Sequence, residues 1–183
     1  MRCFVSIELP GNVKTHIWEA FEDLRRSRLV VGPFVRKENL HLTLKFLGNV
    51  SKEKIGEIKS ALAKIDFRKF PIETGKVMFF PNERYVKTIC VELVSHEIED
   101  LKEAIENSLS KLGFELDDRF NPHLTIARVK GIRDRKSFEH LLKNLSLPKL
   151  FFIAEGFSLM KSSLTKKGPQ YEELENFNML LRA

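Results

Sequence analysis

Apolar residues recur with two periods along the chain, and the switches between them lay out its elements. Phe4, Val5 and Ile7 give residues 2–9 the character of a strand, which Pro10-Gly11 ends. Asn12 then stands as the cap of a helix from 13 to about 27, whose Ile17, Phe21 and Leu24 fall four and three apart and whose end carries Arg25, Arg26 and Arg28. Trp18 is expected beside that stripe. Past Gly32-Pro33, residues 34–47 predict a strand pair, and Ser51 caps a second amphipathic helix bearing Ile55, Ile58, Leu62 and Ile65. Residues 71–93 alternate and break at Pro81-Asn82-Glu83-Arg84, a hairpin pattern. The plan then repeats. A helix over 96–112 shows Ile98, Leu101, Ile105, Leu109 and Leu112 and stops at Gly113, and a strand follows at 123–130. A shorter helix near 134–144 carries Phe138, Leu141 and Leu142, and 149–181 holds two strand-like runs around Gly168-Pro169. Each half reads strand, helix, strand, helix with antiparallel strands between, an internally duplicated α+β plan. With no low-complexity linker between the halves, residues 1–183 are expected to form one domain with two closely packed lobes.

Composition narrows the classes of function. With 43% hydrophobic residues, 15 Phe and charge spread over 183 residues, the chain has material for a buried core and is not a disordered segment. No run approaches the roughly 18 consecutive apolar residues of a membrane span, and MRCFVSIELP enters a strand without a signal-peptide core, so the expected compartment is the cytoplasm. Cys3 and Cys90 sit in apolar strand-like runs as small buried thiols, and no cysteine zinc framework exists. Lys and Arg number 31 against 25 Asp and Glu, a formal charge of +6 with a pI near 9.3, which favours an anionic partner. Gln occurs once, at Gln170, beside abundant Lys and Glu, a thermophilic trend.

Against that background His41-Leu42-Thr43-Leu44 and His123-Leu124-Thr125-Ile126 are two copies of His-apolar-Thr-apolar, one on the equivalent strand of each half. Strand alternation puts His41 and Thr43 on one face and Leu42, Leu44 and Phe46 on the other, under a helix; the second copy repeats this with Leu124 and Ile126. Two such strands build a symmetric cleft suited to a phosphodiester. In-line displacement at phosphorus needs a base on the attacking oxygen and an acid on the leaving oxygen, from opposite sides. Histidine, titrating near pH 6.5, supplies either, each role typically contributing about 10²–10⁴-fold. The Thr hydroxyls can donate to phosphoryl oxygens as charge grows in the transition state. No metal is required, although Asp117, Asp118 and Glu38 are the nearest acidic residues to which a metal reading would turn for a third ligand. His16, His96 and His140 read as solvated surface.

Phe34-Val35-Arg36-Lys37-Glu38-Asn39-Leu40 leading into HLTLKFLG, and RFNPHLTIAR in the second half, resemble the 2′-5′ RNA ligase family, also called RNA 2′,3′-cyclic phosphodiesterases. The resemblance runs from FVSIELP to Ser163-Leu164 and Gly168-Pro169-Gln170-Tyr171, nearly the whole chain. It implies membership of the two-histidine phosphoesterase superfamily: a bilobal α+β fold of pseudo-duplicated antiparallel sheets, helices packed outside, and a central cleft to which each lobe gives one motif. It further implies hydrolysis of a 2′,3′-cyclic phosphate to a 2′-phosphate with no cofactor, His123 as proton acceptor for water and His41 as proton donor; spacing alone does not tell the two apart. The resemblance also implies that the same histidines can carry out 2′-5′ joining without ATP. Thr43 and Thr125 match as substrate-binding residues. The expected partners are RNA ends bearing a 2′,3′-cyclic phosphate, tRNA halves among them, with no membrane association and a monomeric state.

Arg128 matches the basic residue that follows the second motif in relatives, yet strict alternation turns Arg128 and Lys130 away from His123 unless the strand bulges after Thr125. Lys45, by contrast, shares the His41 face by alternation. Arg119, Lys130, Arg133, Arg135 and Lys136 around the second motif, with Lys161, Lys166 and Lys167 at the C-terminal turn, are candidates for RNA backbone contacts. The chain lacks a Walker-type phosphate loop, a G-x-G-x-x-G fingerprint and the Lys-x-Asp-Gly run of nucleotidyl-transferring ligases. Two alternatives stay open: a non-catalytic module gripping RNA ends, and a cyclic phosphodiesterase acting on a small nucleotide.

Overall fold

The N-terminal alternating run becomes β1 (Arg2–Glu8), followed by α1 (Gly11–Ala20), α2 (Glu22–Ser27) and β2 (Val30–Val31). A 3-10 turn at Lys37–Asn39 leads into β3 (His41–Asn49), α3 (Lys52–Leu62), β4 (Phe70–Pro81), β5 (Val86–Val94) and α4 (His96–Ser110). The remainder is β6 (His123–Arg128), β7 (Gly131–Ile132), α5 (Arg135–Asn144), β8 (Phe151–Ala154), β9 (Gly156–Thr165) and β10 (Gly168–Asn178). The structure is a computed structural model and describes residues 1–117, 119–166 and 168–181. Asp118 and Lys167, both singled out above, lie outside the described residues.

Three local expectations are corrected. Pro10, not Asn12, caps α1: its carbonyl accepts from the Lys14 N–H at 3.0 Å, so the helix starts before Asn12, which lies inside the first turn. The helix expected over 13–27 steps at Phe21, where φ −101° and ψ 11° leave helical geometry and the ring is fully buried. The strand pair expected over 34–47 is one strand, β3, preceded by an isolated bridge from Phe34 to Ala127. Ser51 caps α3 as expected, accepting from the Lys54 N–H.

Eight strands form one antiparallel sheet in the order β10-β9-β1-β3-β6-β5-β4-β8, with β2 and β7 paired separately. The two motif strands meet at its centre through the single pairing Leu42↔Leu124. On either side of that seam lie four strands: β3-β1-β9-β10 and β6-β5-β4-β8. These lobes are not the halves of the sequence. The second is one continuous stretch from β4 to β8, whereas the first joins β1 and β3 to β9 and β10 from the far end of the chain. The apolar face, with Val5, Ile7, Leu42, Leu44, Leu124 and Ile126, joins one core that also contains Ile58, Leu62, Ile98, Leu101, Ile105 and Phe138 from α3, α4 and α5. Each side chain of that size contributes roughly 1.5–3 kcal/mol when fully buried. Helices thus cover one face, and the other carries His41 and His123. Among the described residues no helix is long and apolar enough to cross a membrane.

Candidate active site

The two motif strands share an irregularity that decides which side chains reach the site. Along β1 the partners of β3 pass from Ser6↔Thr43 to Val5↔Lys45, leaving Leu44 as the extra residue; along β5 the partners of β6 pass from Cys90↔Thr125 to Ile89↔Ala127, leaving Ile126. A bulge reverses the parity of the residues beyond it, in β3 as far as a second irregularity at Leu47. In β3, Lys45 therefore turns to the helix face and is buried, while Phe46 becomes 65% exposed. Both assignments made from alternation are overturned: Lys45 does not share the His41 face, and Phe46 is not under the helices. The Lys45 ammonium instead donates to Glu106 Oε2 at 2.5 Å and to the Glu115 carbonyl at 2.7 Å. In β6 the matching bulge buries Ala127 and turns Arg128 outward, to the face of His123 and Thr125. From there its charge acts on both Cys90 and Tyr171, the latter in the opposite lobe.

The two imidazoles are anchored alike. His41 Nδ1 lies 2.7 Å from the Asn39 carbonyl and His123 Nδ1 lies 2.6 Å from the Asn121 carbonyl, each two residues upstream. A carbonyl only accepts, so the proton of the neutral ring sits on Nδ1 and Nε2 is left for chemistry. Thr43 Oγ1 lies 3.0 Å from His41 Nε2. The antiparallel sense of the Leu42↔Leu124 pairing runs His41 toward Thr125 and His123 toward Thr43, an arrangement close to twofold.

The surroundings break that symmetry. His41 stacks on Phe4 at 4.9 Å between centroids and meets the edge of Tyr171 at 5.2 Å, whereas His123 has Phe80 at 5.3 Å. Burial, the largest influence, pushes His41 below the ordinary imidazole range; the Asn39 carbonyl and Glu8 favour its charged form, and Lys14 and His123 oppose it. Beside the threonines, on the neighbouring strands, lie Ser6, opposite Thr43, and Cys90, opposite Thr125. Burial pushes the Cys90 thiol up to about 12, against a hydrogen bond with Thr125 that favours the thiolate. The Ser6 hydroxyl is buried without a hydrogen-bond partner among the described residues. Cys3 and Cys90 are both buried and unbridged.

The other candidates are dispersed. Asp117 lies beside α4, its carbonyl accepting from Lys102 at 2.8 Å, and Glu38 stands 4.0 Å from Arg36 near the turn that leads to His41. Lys161 is paired with Glu172, and Arg135 with Glu139 and the Glu83 carbonyl. The sequence pattern does not mark Tyr171, Phe4, Phe80, Ser6 or Cys90 as part of the site. Tyr171 has a signal in the Gly168-Pro169-Gln170-Tyr171 run, but its approach to His41 spans most of the chain.

Two inward-facing imidazoles on pseudo-equivalent central strands, each followed two residues on by a threonine, define a two-histidine phosphoesterase. The family model described as LigT like Phosphoesterase matches twice, over residues 7–91 and 89–171, and the chain belongs to that family. It is 33% identical to an RNA 2′,3′-cyclic phosphodiesterase of Methanocaldococcus jannaschii over 97% of this chain and 100% of that protein. It is 34% identical to one of Thermotoga maritima over 95% of this chain and 93% of that protein. Among solved structures, TT0787 of Thermus thermophilus superposes with a TM-score of 0.82 at 27% identity, covering 98% of each chain. The fold is also that of E. coli LigT, with a TM-score of 0.77 at 20% identity over 98% of this chain and 97% of that one. The two family matches agree with the duplicated pattern, while the structure exchanges strands between the repeats.

Proposed function

We propose that this protein opens RNA 2′,3′-cyclic phosphate ends to 2′-phosphates, the activity named for its relatives in Methanocaldococcus jannaschii and Thermotoga maritima. His123 takes a proton from water as the water oxygen bonds to phosphorus; the P–O3′ bond breaks, and the departing O3′ takes the Nε2 proton of His41, whose charged form the bound phosphate anion favours against the effect of burial. One water is consumed, a free 3′-hydroxyl appears beside the 2′-phosphate, and solvent returns the two imidazoles to their starting charges. Thr43, Thr125 and Arg128 hold the phosphoryl oxygens as charge builds on them. The observation that carries this reading is the mirrored anchoring of both Nδ1 atoms on backbone carbonyls, which leaves two Nε2 atoms on one face of adjoining strands. Such acid–base work requires no metal, and with a 5′-hydroxyl in place of water the same displacement, again breaking P–O3′, joins the cyclic end to that hydroxyl through a 2′-5′ bond. The reading extends to tRNA halves as substrates and to a monomer acting in the cytoplasm.

The test incubates the protein in EDTA with an oligoribonucleotide ending in a 2′,3′-cyclic phosphate and resolves 2′- from 3′-phosphate products. Wild type is expected to yield the 2′-phosphate, with His41→Ala or His123→Ala slower by about 10²–10⁴-fold. Wild-type rates in either variant defeat the mechanism. Binding without any ring opening favours the non-catalytic module.

A further inference from the structure

β3 and β6 carry the two imidazoles, yet among the described residues the ladder between them is the pairing Leu42↔Leu124 alone. Past that pairing β3 continues through Lys45 to Asn49, and beside it lies an irregular segment that leads from Gly113 to β6. Ladder hydrogen bonds therefore do not set the spacing of the two motifs on this side of the seam.

A buried charged cluster spans the gap. Lys45, on β3, donates to Glu106 Oε2 at 2.5 Å and to the Glu115 carbonyl at 2.7 Å. Lys102, on α4, donates to Glu106 Oε1 at 2.6 Å and to the Asp117 carbonyl at 2.8 Å. One carboxylate is thus held between two ammonium groups, and each ammonium group also grips the irregular segment. The Lys102 ammonium also lies 5.2 Å from the Phe120 ring, and the Pro122 carbonyl accepts from the Leu93 N–H at 3.0 Å. Between those two ties sits Asn121, whose carbonyl anchors His123 Nδ1. The anchor of His41 is secured elsewhere: the Glu38 carbonyl accepts from Lys14, and Asn39 Nδ2 donates to the Pro169 carbonyl.

We infer that Lys45, Lys102 and Glu106 are positioning residues for His123. They hold the Asn121 carbonyl where it keeps the proton of the neutral ring on Nδ1, and they fix the second-motif imidazole against the strand that carries the first. The effect on turnover rests on the activity proposed above. A general base must lie within hydrogen-bond reach of the attacking water, and a misplacement of about 1 Å can cost about 10²-fold in rate. The three side chains lie under the helices, away from the cleft, so their contribution belongs to kcat rather than to KM. Stability alone does not require such a cluster, because apolar side chains of similar volume often replace buried ion pairs without loss.

The test exploits that last property. A Lys45→Met, Glu106→Leu, Lys102→Met triple variant strands no charge but lacks both donors to the irregular segment; Lys102→Met alone frees only the Asp117 carbonyl and leaves a neutral Lys45–Glu106 pair. Imidazole 15N spectra, taken where both rings are neutral, report which nitrogen carries the proton, and steady-state kinetics on a cyclic-phosphate oligoribonucleotide report kcat and KM. In wild type both rings are expected as the Nδ1–H form. In the triple variant His123 should become a mixture of the two tautomers while His41 stays Nδ1–H, with kcat lower by about tenfold or more and KM within about twofold. Lys102→Met should show a smaller change of the same kind, and it carries the comparison if the triple variant does not fold. An unaltered His123 tautomer, equal changes at both rings, or wild-type kcat beside a shifted tautomer overturns the positioning role and leaves the activity standing. If wild type opens no cyclic phosphate, the proposed activity fails, and the His123 spectrum still decides whether the cluster anchors that ring.

Discussion

His41 and His123 occupy equivalent strand positions and have the same Nδ1 anchor, yet they are not interchangeable. Phe4 and Tyr171 enclose His41, and that burial disfavours the imidazolium more than the Asn39 carbonyl and Glu8 favour it. In the free protein His41 is therefore expected to titrate below the ordinary value of 6.5. Tyr171→Ser, which admits water to the ring, should move its midpoint up toward that value, as followed by NMR of the imidazole carbons. A midpoint at or above 6.5 in wild type contradicts the account. The motif was fully legible in the sequence, because a strand and its alternation are local. The difference between its two copies was not, since the enclosing rings come from β1 and β10.

At the scale of the element, the extra residue at the end of each motif sets the facing of the side chains that follow it, in β3 as far as a second irregularity at Leu47. The bulge at Leu44 moves Lys45 out of the cleft, and the bulge at Ile126 moves Arg128 into it. Bulge positions depend on the partner strands β1 and β5, so alternation read along β3 or β6 alone misplaces Lys45 and Phe46. Once turned under α4, Lys45 joins a buried cluster in which Lys45 and Lys102 lie 2.5 and 2.6 Å from the two oxygens of Glu106. Both lysines also donate to carbonyls of the segment leading toward the second motif, at Glu115 and Asp117. Removing the shared carboxylate strands two ammonium groups, whereas removing one lysine leaves a neutral pair. Glu106→Gln is accordingly expected to lose about 3–5 kcal/mol of stability, and Lys45→Met clearly less, measured from urea unfolding. The reverse order would show that charge balance does not govern this cluster.

Across the whole molecule, the repeat seen in the sequence and the lobe seen in space do not coincide. The first lobe takes β9 and β10 from the C-terminal part of the chain, while β4 and β5 of the N-terminal part belong to the second. Fragments 1–94 and 95–183 are each deprived of strand partners and helix cover, so neither is expected to unfold cooperatively on its own, and mixing them should restore one transition. A cooperative melt of 1–94 alone, followed by circular dichroism, would refute this interlocking. Stability should also fall at both ends of the pH scale. Below the ordinary 6.5 of histidine the unfolded chain binds a proton that folded His41 resists; stability is therefore lost as pH drops from there to the folded value, and levels off beneath it. Cys90 works in the opposite direction: between 9.0 and about 12 the unfolded thiol ionises while the folded one does not, so stability falls as pH rises through that window. Urea midpoints across the pH range, with His41→Gln flattening the acid side, check both signs.

What the sequence determined by itself is what short-range physics controls: the amphipathic periods of the helices, the Ser51 cap, the stop at Gly113, and the repeated placing of histidine and threonine on one strand face. Those features need only neighbours a few residues away. The tertiary structure alone decided the bulges, the exchange of strands between lobes and the buried Lys45, Lys102 and Glu106 cluster. Each of these depends on which distant strand or helix supplies a partner, and that choice is set by burying the faces of all the elements together rather than by any one segment.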